Sequence, residues 1–241
     1  MDKSTGLREI VARLAGVDPS RVDSAFALDT GGLQGSIGRA RLDASLRREL
    51  GIKNPLAVNR AKIFSELEAI LSGSPLAAAA SPAGPVAASS APAGVSNPIP
   101  SLGPSVNITN GFSCGIDIEA VENMPVAVDY WEDDFYRLSF SPDEIAYCVS
   151  QSHPREHFAA RWCAKEALKK CDPAFEQIEL NCLETLVDSR QRPFLASRVN
   201  GVSKRLAHAV SLSHTPIMAA AMVVMGTGLS TKHVSSTPGR S

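Results

Sequence analysis

Hydrophobic positions in the first third of the chain recur at helical spacing. In "GLREIVARLAGV" the apolar residues lie three or four positions apart, and the pattern ends at Gly16. The same spacing appears in "GRARLDASLRRELGI", which ends at Gly51, and a third helix is predicted in "AVNRAKIFSELEAIL". Three or four short helices in residues 1–72 predict a small helical bundle.

The second half of the chain mixes two periodicities. "CGIDIEAV" alternates and is rich in isoleucine, and "AVSLSHT" and "MAAAMVVM" predict two adjacent strands joined by a polar turn. Between these strands, "FSPDEIAYC" places Ser141 as an N-cap, Pro142 at the first helical position and Glu144 in a capping box. Helices between sheet segments predict an α+β domain over residues 107–226.

Two segments lack any pattern that builds a core. Residues 73–106 consist mainly of Ala, Pro, Ser and Gly, and prolines recur too often for an alanine-rich helix. We expect a flexible linker there and a disordered tail at 227–241. The predicted fold class is α+β, with a small helical-bundle domain joined by this linker to the second domain.

Composition narrows the class of protein. The chain has 24 basic and 25 acidic side chains, so no global field favours nucleic acid or an anionic membrane. Its five cysteines show no CxxC spacing, and the odd count suggests reduced thiols. No segment is long and apolar enough to span a bilayer, and "MDKSTGLREI" lacks the apolar core of a signal peptide. A cytoplasmic location is expected.

The segment "FAARWCAKEALKKC" concentrates charge on one predicted helix. Helical geometry gives it two neighbouring rows, Arg161, Lys165 and Lys169 in one, and Trp162, Glu166 and Lys170 in the other. One row can offer cations to phosphates, and the other can present a carboxylate to Mg²⁺. The alternative is a solvated amphipathic helix with intrahelical ion pairs.

Two further motifs supply polar groups. In "GIDIE", Asp117 and Glu119 leave the same face of a strand, and Gly115 allows a close approach of backbone or ligand. A carboxylate in an apolar strand needs a cation or hydrogen-bond donors to offset its burial. Asp117 is therefore either a site residue or part of a structural ion pair. The strand end "SLSHT" offers three hydroxyls and an imidazole that can hold a phosphate, although a structural histidine is the alternative.

The ordered set "GIDIE", "FSPDE", "RWCAKEAL" and "SLSHT" resembles the motifs of the 4'-phosphopantetheinyl transferase superfamily. Each motif is short, but together they span nearly the whole second domain. The length of about 120 residues matches the short holo-acyl-carrier-protein synthase type, whose members are trimers with active sites shared between subunits.

The resemblance implies roles for individual residues. Asp117 and Glu166 would hold Mg²⁺ against the pyrophosphate of coenzyme A, with Glu119 assisting. The implied contacts to coenzyme A come from Arg161, Lys165, Lys170, Arg192, Pro193, Ser213 and His214. The implied catalytic residues are Asp117, Lys165 and Glu166. In "RQRPF", Gln191 replaces the glycine of a "GKP"-like turn in the family, which puts a backbone contact there in question.

The implied reaction is attack by a serine hydroxyl on the β-phosphate of coenzyme A, with adenosine 3',5'-bisphosphate as leaving group. The metal and the cations would stabilise charge on the phosphoryl oxygens. Either Glu166 or a water held by Asp117 would take the serine proton.

Residues 1–72 resemble an acyl carrier protein, in which the modified serine opens the second helix. "GGLQGSIGRARLDASLRRELGI" places Ser36 at that position, although Gly35 replaces the usual Asp or His. There a phosphodiester would meet backbone N–H groups at the start of a helix. The alternatives are that Ser36 is only an N-cap and that the carrier fold serves docking or assembly alone.

In the family the carrier is usually acidic and the transferase basic, but the two predicted domains here have the opposite net charges. Residues 1–72 carry 11 basic and 9 acidic side chains, whereas the rest of the chain carries 13 and 16. One hypothesis is an inverted interface between the arginine-bearing helix and the acidic segment "DYWEDDF". The alternative is a solvated acidic loop.

The leading hypothesis is a magnesium-dependent holo-acyl-carrier-protein synthase that acts on carriers of fatty acid or polyketide synthesis, in cis or in trans, and on its own Ser36. It would be a homotrimer without nucleic acid or membrane partners. The alternative from another class is a non-catalytic docking module that binds coenzyme A within a synthase complex. A purely structural trimerising module has little support.

Overall fold

A computed structural model describes residues 3–52, 61–72 and 111–226. The helices of the described chain are α1 (Lys3–Ala15), α2 (Gly35–Leu50), α3 (Phe64–Ser72), α4 (Asp134–Ser139), α5 (Pro142–Val149) and α6 (Pro154–Cys171). Its strands are β1 (Phe112–Ala120), β2 (Leu183–Val187), β3 (Pro193–Val199), β4 (Val202–Arg205), β5 (Ala209–His214) and β6 (Met218–Gly226). The second part of the chain is therefore α+β, as its mixed periodicity predicts.

The first three helices enclose a hydrophobic core of their own. Leu7 and Val11 of α1, Leu42 and Leu46 of α2 and Phe64 of α3 are buried in it. The helices predicted from apolar spacing in this region are confirmed, although α3 begins only at Phe64. We call residues 3–52 and 61–72 the helical unit.

Two antiparallel sheets of three strands each lie in the second part of the described chain. One has the strand order β1-β6-β5, and the other has the order β2-β3-β4. In the first sheet Asp117 lies opposite Ala221, while Glu119 and His214 both lie opposite Ala219. Small residues on the central strand β6 leave room for a helix to pack closely on this face.

Helix α6 is the main buried element and packs along β1, β6 and β5. Its residues Phe158 and Trp162 are fully buried and join Tyr136 and Phe140 in an aromatic cluster. Aromatic side chains contribute the largest buried areas in protein cores. This cluster therefore fixes α6 against α4.

The capping box predicted before α5 is confirmed. The Ser141 hydroxyl accepts from the Glu144 backbone N–H, and the Glu144 carboxylate accepts from the Ser141 N–H. Pro142 occupies the first turn. The two bonds satisfy backbone donors that helix geometry leaves unpaired at the start of α5.

Other predictions have mixed outcomes. The strands β1, β5 and β6 are confirmed, but the periodicity did not indicate the second sheet. The linker expected at 73–106 and the tail expected at 227–241 lie outside the described residues.

All five cysteines are free thiols. Within the described ranges no helix has the length and apolarity needed to cross a bilayer.

Candidate functional site

Close contact between β1 and α6 builds the candidate site. A Cβ on Gly115 would lie 2.1 Å from the carbonyl oxygen of Ala167 and 2.7 Å from the backbone nitrogen of Cys171. Because real Cβ atoms do not approach so closely, only glycine allows this packing. The glycine of "GIDIE" therefore sets the distance between the acids of β1 and the charges of α6.

Asp117 points to the face of β1 that α6 covers. Its Oδ1 accepts a bond of 2.7 Å from Nζ of Lys170, which also donates to the carbonyl of Ile116. The other oxygen, Oδ2, is buried and has no hydrogen-bond partner among the described residues. A buried carboxylate oxygen without a donor is costly, so this atom is suited to a cation.

Glu166 is half-buried on α6 beside this aspartate. Burial raises the pKa of its carboxyl, the charges of Asp117 and Glu119 raise it further, and Lys169 and Lys170 oppose the shift. The pKa of Glu166 thus responds to the charges of both acids on β1, and its pairing with Asp117 around a metal ion stays a prediction. The unpartnered oxygen of Asp117 and the carboxylate of Glu166 are the type of ligand set that suits a divalent cation.

Glu119, the third metal ligand that the resemblance implies, is hydrogen-bonded to residues near the end of β1. Oε1 of Glu119 accepts a bond of 2.6 Å from Nδ2 of Asn123 and another from the N–H of Ala120. In the described part of the chain, no three His, Cys, Asp or Glu side chains are arranged to hold a metal ion. The structure thus directs Glu119 at Asn123, in the segment that follows β1.

Lys165 does not lie where a phosphate contact requires. Its side chain has no exposed surface, and its Nζ donates to Oε2 of Glu144 at 2.7 Å. It also donates to the carbonyls of Ser139 at 2.6 Å and Leu180 at 3.0 Å. With all three donors used inside the core, the expected binding and catalytic roles of Lys165 are corrected to a structural one.

Arg161 is likewise buried away from solvent. Its guanidinium carbon lies 4.0 Å from the ring centroid of Tyr147, and its Nη1 donates to the carbonyl of His157. Only 4% of the residue is exposed. In this arrangement the guanidinium stacks on an aromatic ring inside the protein instead of lying at the surface, where the resemblance implies a phosphate contact.

The two "SLSHT" candidates lie on opposite faces of the sheet. His214 is on the face covered by α6, where its Nε2 lies 3.9 Å from Oε2 of Glu156. Its ring is 4.6 Å from that of His157, measured between centroids. Ser213 faces the other side and is exposed, because strand side chains alternate. The two residues therefore cannot act together on this face of one subunit.

The "RQRPF" segment forms the turn between β2 and β3. The side chain of Arg192 pairs with Asp188 at 2.8 Å, and Pro193 begins β3. Gln191 has φ of +61°, the left-handed conformation that glycine adopts at low cost. The turn therefore keeps a backbone suited to glycine although the side chain is larger.

A cavity of about 290 Å³ opens between the helical unit and α6. Ser36 of α2 lines it from one side, and Trp162, Glu166 and Lys169 line it from the other. Nε1 of the fully buried Trp162 donates a bond of 3.1 Å to the hydroxyl of Ser36. The sequence did not indicate Trp162 as a site residue, although its position in the same helical row as Glu166 could have done so.

The N-cap alternative for Ser36 is excluded by the same geometry. The N-cap of α2 is Gln34, and its side chain makes no capping bond. Ser36 lies inside the first turn and directs its hydroxyl oxygen to Trp162. The serine is therefore held by the second part of the chain rather than by its own helix.

A family model for the 4'-phosphopantetheinyl transferase superfamily matches residues 113–221. The holo-[acyl-carrier-protein] synthase of Syntrophus aciditrophicus is 34% identical over 119 residues, which are 46% of this chain and 92% of that protein. That of Thermodesulfovibrio yellowstonii is 31% identical over 111 residues, 46% of this chain and 95% of that protein.

A solved structure is also similar to about half of the chain. The ACPS–CoA complex of Chronobacterium ammoniagenes is 22% identical and has a TM-score of 0.38. The match covers 48% of this chain and 97% of that one.

Proposed function

Because the chain belongs to the 4'-phosphopantetheinyl transferase superfamily, we propose that it moves the phosphopantetheine arm of coenzyme A onto a serine of acyl carrier proteins. The products are the holo-carrier and adenosine 3',5'-bisphosphate. The observation that carries this proposal is the buried, unpartnered Oδ2 of Asp117 on β1, whose other oxygen binds Lys170 of α6, in a chain that aligns with nearly the full length of holo-[acyl-carrier-protein] synthases.

Mg²⁺ is the ion that these residues fit best. The unpartnered Oδ2 of Asp117 and the carboxylate of Glu166 would hold it, because Mg²⁺ prefers one or two carboxylates together with phosphate oxygens. When bound, the ion stabilises negative charge on the pyrophosphate. Glu119, whose Oε1 accepts a bond from Nδ2 of Asn123, keeps its assisting role by resemblance alone.

Lys170 is the cation best placed for the phosphates. Its ammonium group is about half exposed and is anchored on Asp117, whose carboxylate raises its pKa. Anchoring an exposed ammonium beside the acid pair supplies positive charge where the pyrophosphate would lie. His214, Arg192, Pro193 and Ser213 keep their proposed coenzyme A contacts by resemblance alone.

We assign the serine proton to Glu166. This carboxylate lines the cavity that Ser36 also lines, which places a proton acceptor beside a candidate serine. The acceptor serine would lose its proton to Glu166 as its oxygen bonds to the β-phosphorus. Release of the adenosine 3',5'-bisphosphate completes the exchange.

A homotrimer remains the proposed assembly. The face of the β1-β6-β5 sheet opposite α6 exposes Ile116, Ile118 and Met222 to 59%, 59% and 47%. Neighbouring exposed apolar side chains of this kind mark association surfaces, which supports the assembly that the resemblance implies. A cytoplasmic location stays a prediction from the sequence.

The function is tested by incubating the full chain with an apo acyl carrier protein, coenzyme A and Mg²⁺ and recording the intact mass of the carrier. We expect the carrier to gain one phosphopantetheine, and we expect a chelator to abolish the gain. Binding of coenzyme A without any mass gain would support the alternative, a non-catalytic docking module.

A further inference from the structure

Helix α2 has two apolar faces, and the second one packs outside the helical unit. Leu42 and Leu46 lie in the core of that unit. Ile37 and Ala44 are instead buried in the core of the α+β part, at 3% and 4% exposure, and Ala40 packs beside them. Positions 37, 40 and 44 share one side of a helix. This side of α2 is therefore fitted to the transferase surface.

Charged pairs surround this apolar contact. Arg47 lies 3.2 Å from Glu179, and Nε of Arg48 lies 3.7 Å from Oδ2 of Asp134. The arginines that replace the usual acids of a carrier helix thus meet acids of the transferase, including one in "DYWEDDF". Opposite charges on two surfaces specify their mutual orientation.

This docking brings Ser36 to the proposed active site. Trp162 can only donate through its indole N–H, so the Ser36 oxygen accepts and its own proton stays available for transfer. Glu166, the proposed proton acceptor, lines the same cavity. A foreign acceptor serine would have to occupy the place that Ser36 holds here.

The start of α2 also suits a phosphate. Its first turn contains no acidic residue and its N-cap residue Gln34 makes no capping bond, although the N–H of Gly35 donates to Oδ1 of Asp29 at 3.4 Å. Free N–H groups and the helix dipole stabilise an anion at this end. A phosphodiester on Ser36 would therefore meet donors of its own helix as well as Lys169 across the cavity.

We propose that Ser36 is an acceptor for the transferase of the same chain, so that the helical unit is a carrier domain loaded in cis. The inference rests on the proposed function. The Ser36 oxygen forms a bond to the β-phosphorus of coenzyme A, and the bond from that phosphorus to the bridging oxygen breaks. The hydroxyl proton passes to Glu166 and then to water, and adenosine 3',5'-bisphosphate leaves.

The test uses full-length chain made by cell-free translation in an extract depleted of coenzyme A. Coenzyme A and Mg²⁺ are then added, and intact mass and peptide mapping are recorded with and without an added apo carrier. We expect one phosphopantetheine on Ser36, at a rate independent of chain concentration over about a hundredfold range. Ser36→Ala should gain nothing itself yet modify the added carrier. Ser24→Ala, which removes an exposed hydroxyl of the same unit, should behave as wild type.

The outcomes separate this inference from the function on which it rests. An added carrier that is modified while the chain gains no mass overturns loading in cis and leaves the transferase intact. A mass gain that persists in Ser36→Ala also overturns it. If neither acceptor gains mass, the proposed function fails together with the inference.

A charge exchange tests the docked geometry. Arg48→Asp should slow loading of Ser36 about two- to fivefold, the range expected for a partly exposed ion pair. Adding Asp134→Arg should restore the rate, while modification of a foreign carrier by the double variant provides the control for folding. Equal slowing in the single and double variants would contradict this orientation of α2.

Discussion

Nζ of Lys165 lies 2.7 Å from Oε2 of Glu144, and neither side chain has any exposed surface. Glu144 also accepts from the backbone N–H groups of Ser141 and Thr185, at 2.9 Å each. One carboxylate thus joins α5, α6 and β2. The pair stabilises the frame that holds Glu166 in place.

We predict that Lys165→Met lowers the free energy of unfolding by about 3–5 kcal/mol, because it leaves a buried carboxylate without its partner. Chemical denaturation measures the loss. Lys204→Met, on the exposed strand β4, should change stability by less than about 0.5 kcal/mol. A Lys165→Met protein with unchanged stability and a raised KM for coenzyme A would instead support a phosphate-binding role.

We predict that Gly115→Ala separates β1 from α6, because the added methyl group meets the Ala167 carbonyl. The expected loss of stability is about 1–3 kcal/mol or more, as for other overpacked sites. Carrier modification should fall as Asp117 and Glu166 move apart. Cys114→Ala removes an exposed side chain from the other face and is the control. Full activity in Gly115→Ala would show that this spacing is not needed.

Replacing Gln191 by glycine should stabilise the protein by about 1 kcal/mol, since a non-glycine residue with positive φ is strained. Thermal or chemical unfolding detects the gain. Arg190→Gly, next to it in the same turn but without positive φ, should give no gain. Equal effects of the two substitutions would mean that the backbone conformation of Gln191 carries no strain.

Stability should depend on the charge of His157. Burial lowers the pKa of this histidine, and the neighbouring His214 and Arg161 lower it further. The unfolded chain therefore binds the proton more readily, so the free energy of unfolding falls as pH drops below about 6.5. Denaturation curves of His157→Gln should show a weaker decline over this range than wild type. His153→Gln, at an exposed position, should change the wild-type slope less than His157→Gln does, because His153 is the weakest of the charges acting on His157.

The motifs implied that Asp117 and Glu166 act together, which stays a prediction, and they did not give the orientation of α6. Alternation on β1 fixes which side chains share a face, whereas helical spacing gives rows without saying which row is buried. Lys165 and Arg161 both pack against α5. The two cations expected at phosphates are therefore core residues. Only tertiary packing decides between such rows.

Other features depended equally on contacts between distant segments. The capping box at Ser141 is local, and the sequence predicted it correctly. The bond between Trp162 and Ser36 joins positions 126 residues apart, and no local pattern encodes it. The second sheet escaped prediction because β2 and β3 are short and partly buried, with no regular alternation.

Divalent-ion binding tests the central claim most directly. Electron paramagnetic resonance of Mn²⁺ with the full chain and coenzyme A counts bound ions without relying on turnover. We predict one ion per chain in wild type and in Glu122→Gln, an exposed control, and weakened binding in both Asp117→Asn and Glu166→Gln. Unchanged Mn²⁺ binding in the two site variants would contradict the account.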